Sequence, residues 1–382
     1  CDSLTLVLDA RTNYKASYAA GWRGVDPLPS ANAAIAAAAA KAYSTVLSTH
    51  ISDFSALMTT MTVDWGSSPT SATSLPTNLR LKRYADNGMD PELEQTMFAY
   101  GRYLLIGCSR PGGLPANLQG LWNNSNTPAW ASDYHNNINV QMNYWGAEVN
   151  GLSDLHLPLV DFVEAALVPC RAATKAAFGS NVRGWTARTS QSIFGGNGWD
   201  WNNVASAWYA QHLYEHYAFT QDRTYLNRVY PMIKEICEFW QDRLKRRTDG
   251  KLVAPNGWSP EHGPVEDGVM YDQQIIWDLF QNYLDAARAL GVDASYQAVV
   301  SGMQADLAPN KVGSWGQLQE WQTDRDSQTD LHRHTSHLFG VYPGRQITPA
   351  ATPAFAAAAM VSLKARCNEV SGLPFTAANV TG

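Results

Sequence analysis

The stretch Asp90-Pro91-Glu92-Leu93-Glu94-Gln95-Thr96-Met97-Phe98-Ala99-Tyr100-Gly101-Arg102-Tyr103-Leu104 decides the fold class. Proline stands at a first-turn position, where an N–H would have no helical partner in any case, and Leu93, Met97, Tyr100 and Leu104 recur at helical spacing as an apolar stripe. The spacing predicts a helix from Asp90 to about Cys108. Downstream, further helices are expected over about Asn139–Val149, Leu155–Phe178, Val204–Thr220, Thr224–Arg246, Gln273–Leu290, Ala294–Leu307 and Pro349–Arg366, with strand signals almost absent. Helices joined by long loops, rather than by short bundle connections, point to a layered helical toroid whose loops carry function. The loop Ser109–His135 is long, and rich in Trp, Asn and Gly instead of solvating charge, which favours a functional role over a disordered one.

Upstream of Asp90 the character changes. Ser3-Leu4-Thr5-Leu6-Val7-Leu8-Asp9 reads as a strand, the last of a preceding β domain. A segment from Ser30, a plausible cap, through an alanine-rich run to about Leu57 reads as one long linker helix, followed by a Ser/Thr/Pro-rich loop from about Gly66 to Thr77. A start at Cys1, inside an apolar alternating stretch and without methionine, suggests that the N-terminus lies further upstream.

Composition narrows the function. Of 382 residues, 45% are hydrophobic and 16% charged, which fits a folded interior and not a disordered chain. The net charge of −6 provides no basic field for phosphate backbones or anionic lipid, so nucleic-acid and membrane-surface roles are disfavoured. No apolar run approaches the roughly 20 residues that span a bilayer. The five cysteines are scattered, without CxxC or Cys/His zinc spacing, and read as small core residues. The sequons at Asn123 and Asn379 permit glycosylation if the protein is exported through a eukaryotic route, and an extracellular or exported location is expected. The 14 Trp, 17 Tyr and 11 Phe include Trp122, Trp130, Trp199, Trp201 and Trp258 in loops, where flat faces can stack on sugars.

Three motifs carry chemistry. In Asn256-Gly257-Trp258-Ser259-Pro260-Glu261-His262-Gly263, a carboxyl beside an indole fits a general acid. In Asp133-Tyr134-His135-Asn136-Asn137-Ile138-Asn139-Val140-Gln141-Met142-Asn143-Tyr144-Trp145, Asn137 and Asn139 are two apart, so on extended backbone their side chains would project to one side and grip one water. Asn136, Asn137, Asn139 and Asn143 together exceed what one helix cap needs. In Leu331-His332-Arg333-His334-Thr335-Ser336-His337, no HExxH or carboxylate pattern supports a metal. Arg333 and His334 are expected to donate to substrate hydroxyls, and the other histidines to fix the loop.

Taken together, these motifs resemble the signature blocks of glycoside hydrolase family 95. The resemblance adds Gly112-Gly113-Leu114-Pro115-Ala116-Asn117-Leu118-Gln119-Gly120-Leu121-Trp122, Gln211-His212-Leu213-Tyr214-Glu215-His216-Tyr217, Tyr271-Asp272-Gln273-Gln274-Ile275-Ile276-Trp277-Asp278-Leu279 and the continuation to Gly344, in the family's order. It implies a mainly α fold, an (α/α)6 barrel (helical toroid) preceded by a β-sandwich, and an inverting α-L-fucosidase acting on terminal, typically α-1,2-linked fucosyl groups, with neither metal nor organic cofactor. The partner implied is a fucosylated oligosaccharide or glycan. By this resemblance Glu261 is the general acid, Asn137 and Asn139 position the attacking water, and His135 lies against the sugar near its methyl group. Arg333, His334, Trp208 and Trp258 complete the expected substrate-binding set.

The implied domains are 1–28, the C-terminal edge of the β-sandwich; 29–78, a linker helix and loop; and 79–382, the catalytic domain, short at its C-terminal side. Amides are poor bases, and the resemblance places the carboxylate that polarises them in a block after Gly344, which does not occur before Gly382. The helix count also falls short of twelve, so this 382-residue chain alone is expected to show little turnover. Two alternatives stand beside the fucosidase: an α-L-galactosidase, for which a smaller polar residue at position 135 would speak, and a glycan-binding fragment without catalysis, against which Glu261 speaks. A toroid processing isoprenoids would need Asp-rich metal motifs or a zinc set, and neither occurs.

Overall fold

The computed structural model describes residues 4–368. The described chain is mainly α, and it divides into two compact units: residues up to Asp133 with Gly146–Pro169 and Ser192–Gly196, and Tyr134–Trp145 with Cys170–Gln191 and everything from Asn197 onward.

The first unit holds α1 (Leu28–Ala39), α2 (Tyr43–Met58), the single turn α3 (Thr70–Thr73), α4 (Thr77–Asn87) and α5 (Pro91–Cys108). Asp90 caps α5 by accepting from the Leu93 N–H at 3.1 Å, and Pro91 takes the first position. The expected stripe is the buried face only at Leu93, because Met97 and Tyr100 are exposed while Arg102, Ile106 and Cys108, outside the stripe, are buried. The reason lies in α2, against which α5 packs. Ile106, Leu152 and Leu155 form a core with Phe54, Leu57, Met58 and Leu105. Beside it the Arg102 guanidinium donates to the carbonyls of Leu57 at 3.0 Å and Met58 at 2.9 Å, satisfying carbonyls that the end of α2 leaves open.

Two upstream expectations change. The single linker helix is broken at residues 40–42, where Ala42 is extended, and Ser30 turns its hydroxyl back to the Pro27 carbonyl at 2.8 Å instead of capping. None of the residues of α1 is buried, so no packed face holds the run in one piece. Residues 4–10 form no strand, and Leu4, Leu6 and Leu8 are exposed. An extended segment becomes a strand only when a neighbour takes its hydrogen bonds, and no described residue does so.

The second unit opens with β1 (Tyr134–His135) and α6 (Asn139–Tyr144), then includes the end of α7 (Leu157–Phe178). The strands β2 (Ala187–Gln191) and β3 (Asn197–Asn202) form an antiparallel sheet in the order β1-β2-β3, with a register shift between Arg188 and Ser190. Next come α8 (Ala205–Thr220), α9 (Arg223–Arg243), the short pair β4 (Lys245–Arg246) and β5 (Leu252–Val253), α10 (Met270–Leu290), α11 (Ala294–Asp306) and α12 (Pro353–Arg366). Helices α8, α9 and α10 pack on one another, and α11 packs on α10. Burial alternates along them. Helix α8 is buried almost all round through its first three turns and α10 along most of its length, whereas α9 buries one face and α11 only Val300. Helices buried all round alternating with one-faced helices are the inner and outer layers expected of an (α/α)6 arrangement. Cys108, Cys170 and Cys237 are buried, as small apolar residues should be.

Candidate active site

Two neutral and charged networks in the second unit face one polar cavity of about 250 Å³, whose lining includes Asn137, Trp201, Asn202, Trp258, Glu261 and Asp272. A smaller pocket of about 90 Å³, walled by Trp145, Trp208, Phe339 and Tyr342, shares Asn137, Pro260 and Tyr271 with it.

The Asn137 wall is held by amides. Asn136 is fully buried; its backbone N–H donates to the Thr189 carbonyl at 2.9 Å and its side chain to the carbonyl of Arg188 at 2.6 Å and Oε1 of Gln191 at 3.1 Å. The Asn136 carbonyl in turn accepts from Gln141 at 2.5 Å and from Asn202 at 3.1 Å. Tyr271 donates its hydroxyl to the Asn137 carbonyl at 2.9 Å. With the backbone pinned, the side-chain oxygen of Asn137 is left buried and without a hydrogen-bond partner. Such an acceptor calls for a donor from water or ligand.

The Glu261 wall is held by charges. Arg333 pairs with the Glu261 carboxylate, and His334 Nε2 lies 3.9 Å from it. The backbone N–H of Glu261 donates to His332 Nε2 at 3.1 Å, and the His332 ring stacks on His262 at 3.7 Å between centroids. Behind the loop lies Glu320, fully buried. It accepts from Ser259, from His262 at 2.8 Å, from Ser336 at 3.3 Å and from Arg366 at 2.5 Å, so one carboxylate ties the Glu261 loop to the 332–337 loop and to α12. Burial pushes this carboxyl up, but the His262 hydrogen bond, the neighbouring His337, Ser259 and Arg366 outweigh it and hold it down at about 2. Burial also lowers His337, to about 4, and lowers His334 with help from Arg333.

The expected site residues separate into three groups. Asn137, Glu261 and Trp258 line the polar cavity, while Trp208 and His334 line the aromatic pocket. Arg333 reaches the site through Glu261, and buried His135 reaches it through an edge-on contact, 4.5 Å between centroids, with Trp199, itself a wall residue. Asn139 is not brought there. It is exposed at the first position of α6, because the chain turns helical at that residue and the two-residue alternation of extended backbone stops. Nor does Trp258 bury the carboxyl as the motif suggested, since the Glu261 side chain remains 41% exposed. Glu320, Asn136, Asn202 and Asp272 went unassigned in the sequence. The partners of Glu320, Asn136 and Asn202 are distant in the chain, and among these only the density of asparagines around position 136 gave a signal.

A buried open acceptor and a paired carboxylate on an aromatic-walled polar cavity suit a polyhydroxylated ligand. The chain belongs to the glycosyl hydrolase family 95 catalytic domain family, which matches residues 42–378. It is 36% identical over 360 residues to the "Probable alpha-fucosidase A" of Aspergillus niger, covering 89% of this chain and 45% of that protein. It is 31% identical over 369 residues to the "Alpha-L-fucosidase 2" of Arabidopsis thaliana, covering 91% and 43%. A "Probable alpha-fucosidase A" of Aspergillus oryzae is 30% identical over 357 residues, covering 90% and 42%. The chain thus spans less than half the length of these relatives.

Proposed function

We propose that the protein is an inverting exo-glycosidase that hydrolyses terminal α-L-fucosyl groups of glycans, with α-1,2 the preferred linkage. The names of the relatives support the substrate class, and one observation carries the chemistry: Glu261 and the open side-chain oxygen of Asn137 belong to the walls of the same cavity. Inversion needs a proton donor at the leaving oxygen and a water on the opposite face of the ring. Glu261, protonated once the bound sugar's hydroxyls draw Arg333 off its carboxylate, gives its proton to the departing oxygen. Asn137 accepts a hydrogen bond from the attacking water and orients it. An amide does not take that water's proton, and the family resemblance assigns this step to a carboxylate of a later block. Arg333 and His334, on the Glu261 side, donate to sugar hydroxyls, and Trp208 and Trp258 offer flat faces to the ring.

The test uses the full-length protein with α-1,2-fucosylated lactose and with paired 4-nitrophenyl α-L-fucoside and α-L-galactoside. Fucoside cleavage faster by roughly tenfold or more is expected, since an added hydroxyl must fit beside the methyl site. NMR of freshly released sugar should show β-L-fucose first. Faster galactoside cleavage would overturn the specificity, and α-L-fucose as first product would overturn inversion.

A further inference from the structure

Asp272 belongs to the cavity wall, yet neither the proton donor nor the water-holding amide accounts for it. It lies in the first turn of α10, is 4% exposed and lines the cavity with Glu261 and Asn137. Among the described residues no hydrogen bond or ion pair reaches its carboxyl, and burial alone pushes it up to about 7. Its neighbours turn elsewhere. Tyr271 sends its hydroxyl to the Asn137 carbonyl, and Gly257 approaches so closely that a Cβ there would collide with the Asp272 carboxyl.

Other buried carboxyls in the chain look different. Asp90 accepts from Ser68 at 2.5 Å, from Arg80 at 2.6 and 2.7 Å and from the Leu93 N–H; Glu320 is ringed by donors; Asp278, also buried, accepts from Asn282 at 2.8 Å. Carboxyls with a structural role in this chain have protein partners. A buried polar group without one is costly to fold around and persists where a ligand completes its hydrogen bonds. We propose that Asp272 is a substrate-binding carboxyl, bonded to hydroxyls of the sugar that sits between Glu261 and Asn137, and that it selects for a hydroxylated ring over a deoxygenated one. This rests on reading the cavity as a sugar site, and it adds a specificity-determining residue to that reading.

The experiment compares wild-type full-length protein with Asp272→Asn and Asp272→Ala. Calorimetry with L-fucose and its 2-, 3- and 4-deoxy analogues is combined with thermal melts and with kcat and KM on an α-L-fucoside. Both variants should melt at or above the wild-type temperature while fucose affinity falls by about tenfold or more, the scale of a lost hydrogen bond to a charged or polar group. At least one deoxy analogue should bind the wild type more weakly than fucose does, and that difference should vanish in Asp272→Ala. Unchanged affinity in both variants, with wild-type turnover intact, would overturn the role of Asp272 alone. Failure of both variants to fold would overturn it too, by assigning the carboxyl to structure. A wild type that neither binds nor cleaves fucosides would remove the sugar site itself, and this inference with it.

Discussion

The two walls of the cavity are made rigid by opposite means. Around Asn137 the hydrogen bonds run between neutral groups, Asn136, Gln141, Gln191, Asn202 and the hydroxyl of Tyr271. Around Glu261 they run between charges and imidazoles, with buried Glu320 as the common acceptor. Holding a neutral water asks only for geometry, which amides supply without creating a field. Handing over a proton asks for control of charge, and a network of ionisable groups supplies that at the risk of leaving a buried charge exposed to any single loss. The contrast predicts which wall is sensitive to pH and which is not.

The largest effect is expected at Glu261, the proposed proton donor. Glu261→Gln should lower turnover on α-1,2-fucosylated lactose by about 10²–10⁴-fold while ligand binding persists. The loss should be smaller on a 4-nitrophenyl fucoside, whose leaving group needs little help, and equal losses on the two substrates would separate Glu261 from proton donation. Next comes the anchor behind it. Glu320→Ala takes the buried acceptor from Arg366 and His262, leaving each only the partly exposed Asp330, and should cost about 3–5 kcal/mol in denaturant unfolding. Wild-type stability carries the same signature. Because the folded Glu320 carboxyl sits near 2 and an unfolded Glu near 4.5, this contribution is full above about pH 4.5 and disappears as pH falls through 2.

On the neutral wall the expected cost is smaller and flat with pH. Asn136→Ala should destabilise by about 1–3 kcal/mol, the scale of buried groups left unpaired, with the same value at pH 5 and pH 8. A pH-dependent loss there would break the distinction between the walls. The smallest change has the opposite sign. The folded chain keeps the Asp272 proton up to about 7, whereas an unfolded Asp releases its proton near 3.8, so folding takes up a proton between these values and stability falls as pH rises through them. Asp272→Asn removes that penalty. It should gain about 1 kcal/mol at neutral pH, after allowance for relaxation around the group, and nothing near pH 3.

The helices were legible where chemistry is local. Pro91 after a capping Asp90, and the amphipathic pattern of α9, could be read without the fold. Helix α8 was legible as helix but not as a buried one, since Gln211, His212 and His216 lie inside it. The hairpin β2–β3 escaped notice because β2, Ala187–Gln191, is polar with Thr189 its one β-branched residue, β3, Asn197–Asn202, is made of Asn, Gly, Trp and Asp, and the pairing partner β1 is only two residues long. Glu261 and Asn137, which line one cavity, were singled out because their motifs are compact. Asn139 was grouped with Asn137 by the family resemblance and by the alternation of extended backbone, and that alternation ends where α6 begins. Glu320 meets partners 61 and 46 residues away, a relation no spacing rule reveals.

The proposed hydrolysis requires one sugar ring in the space bounded by Glu261 and Asn137. A crystal structure of the full-length Glu261→Gln variant soaked with an α-1,2-fucosylated disaccharide tests it most directly. Fucose is expected in the cavity, its glycosidic oxygen toward residue 261 and a water held by Asn137 on the opposite face. Fucose bound elsewhere, or lying with both groups on the same side of its ring, would contradict it.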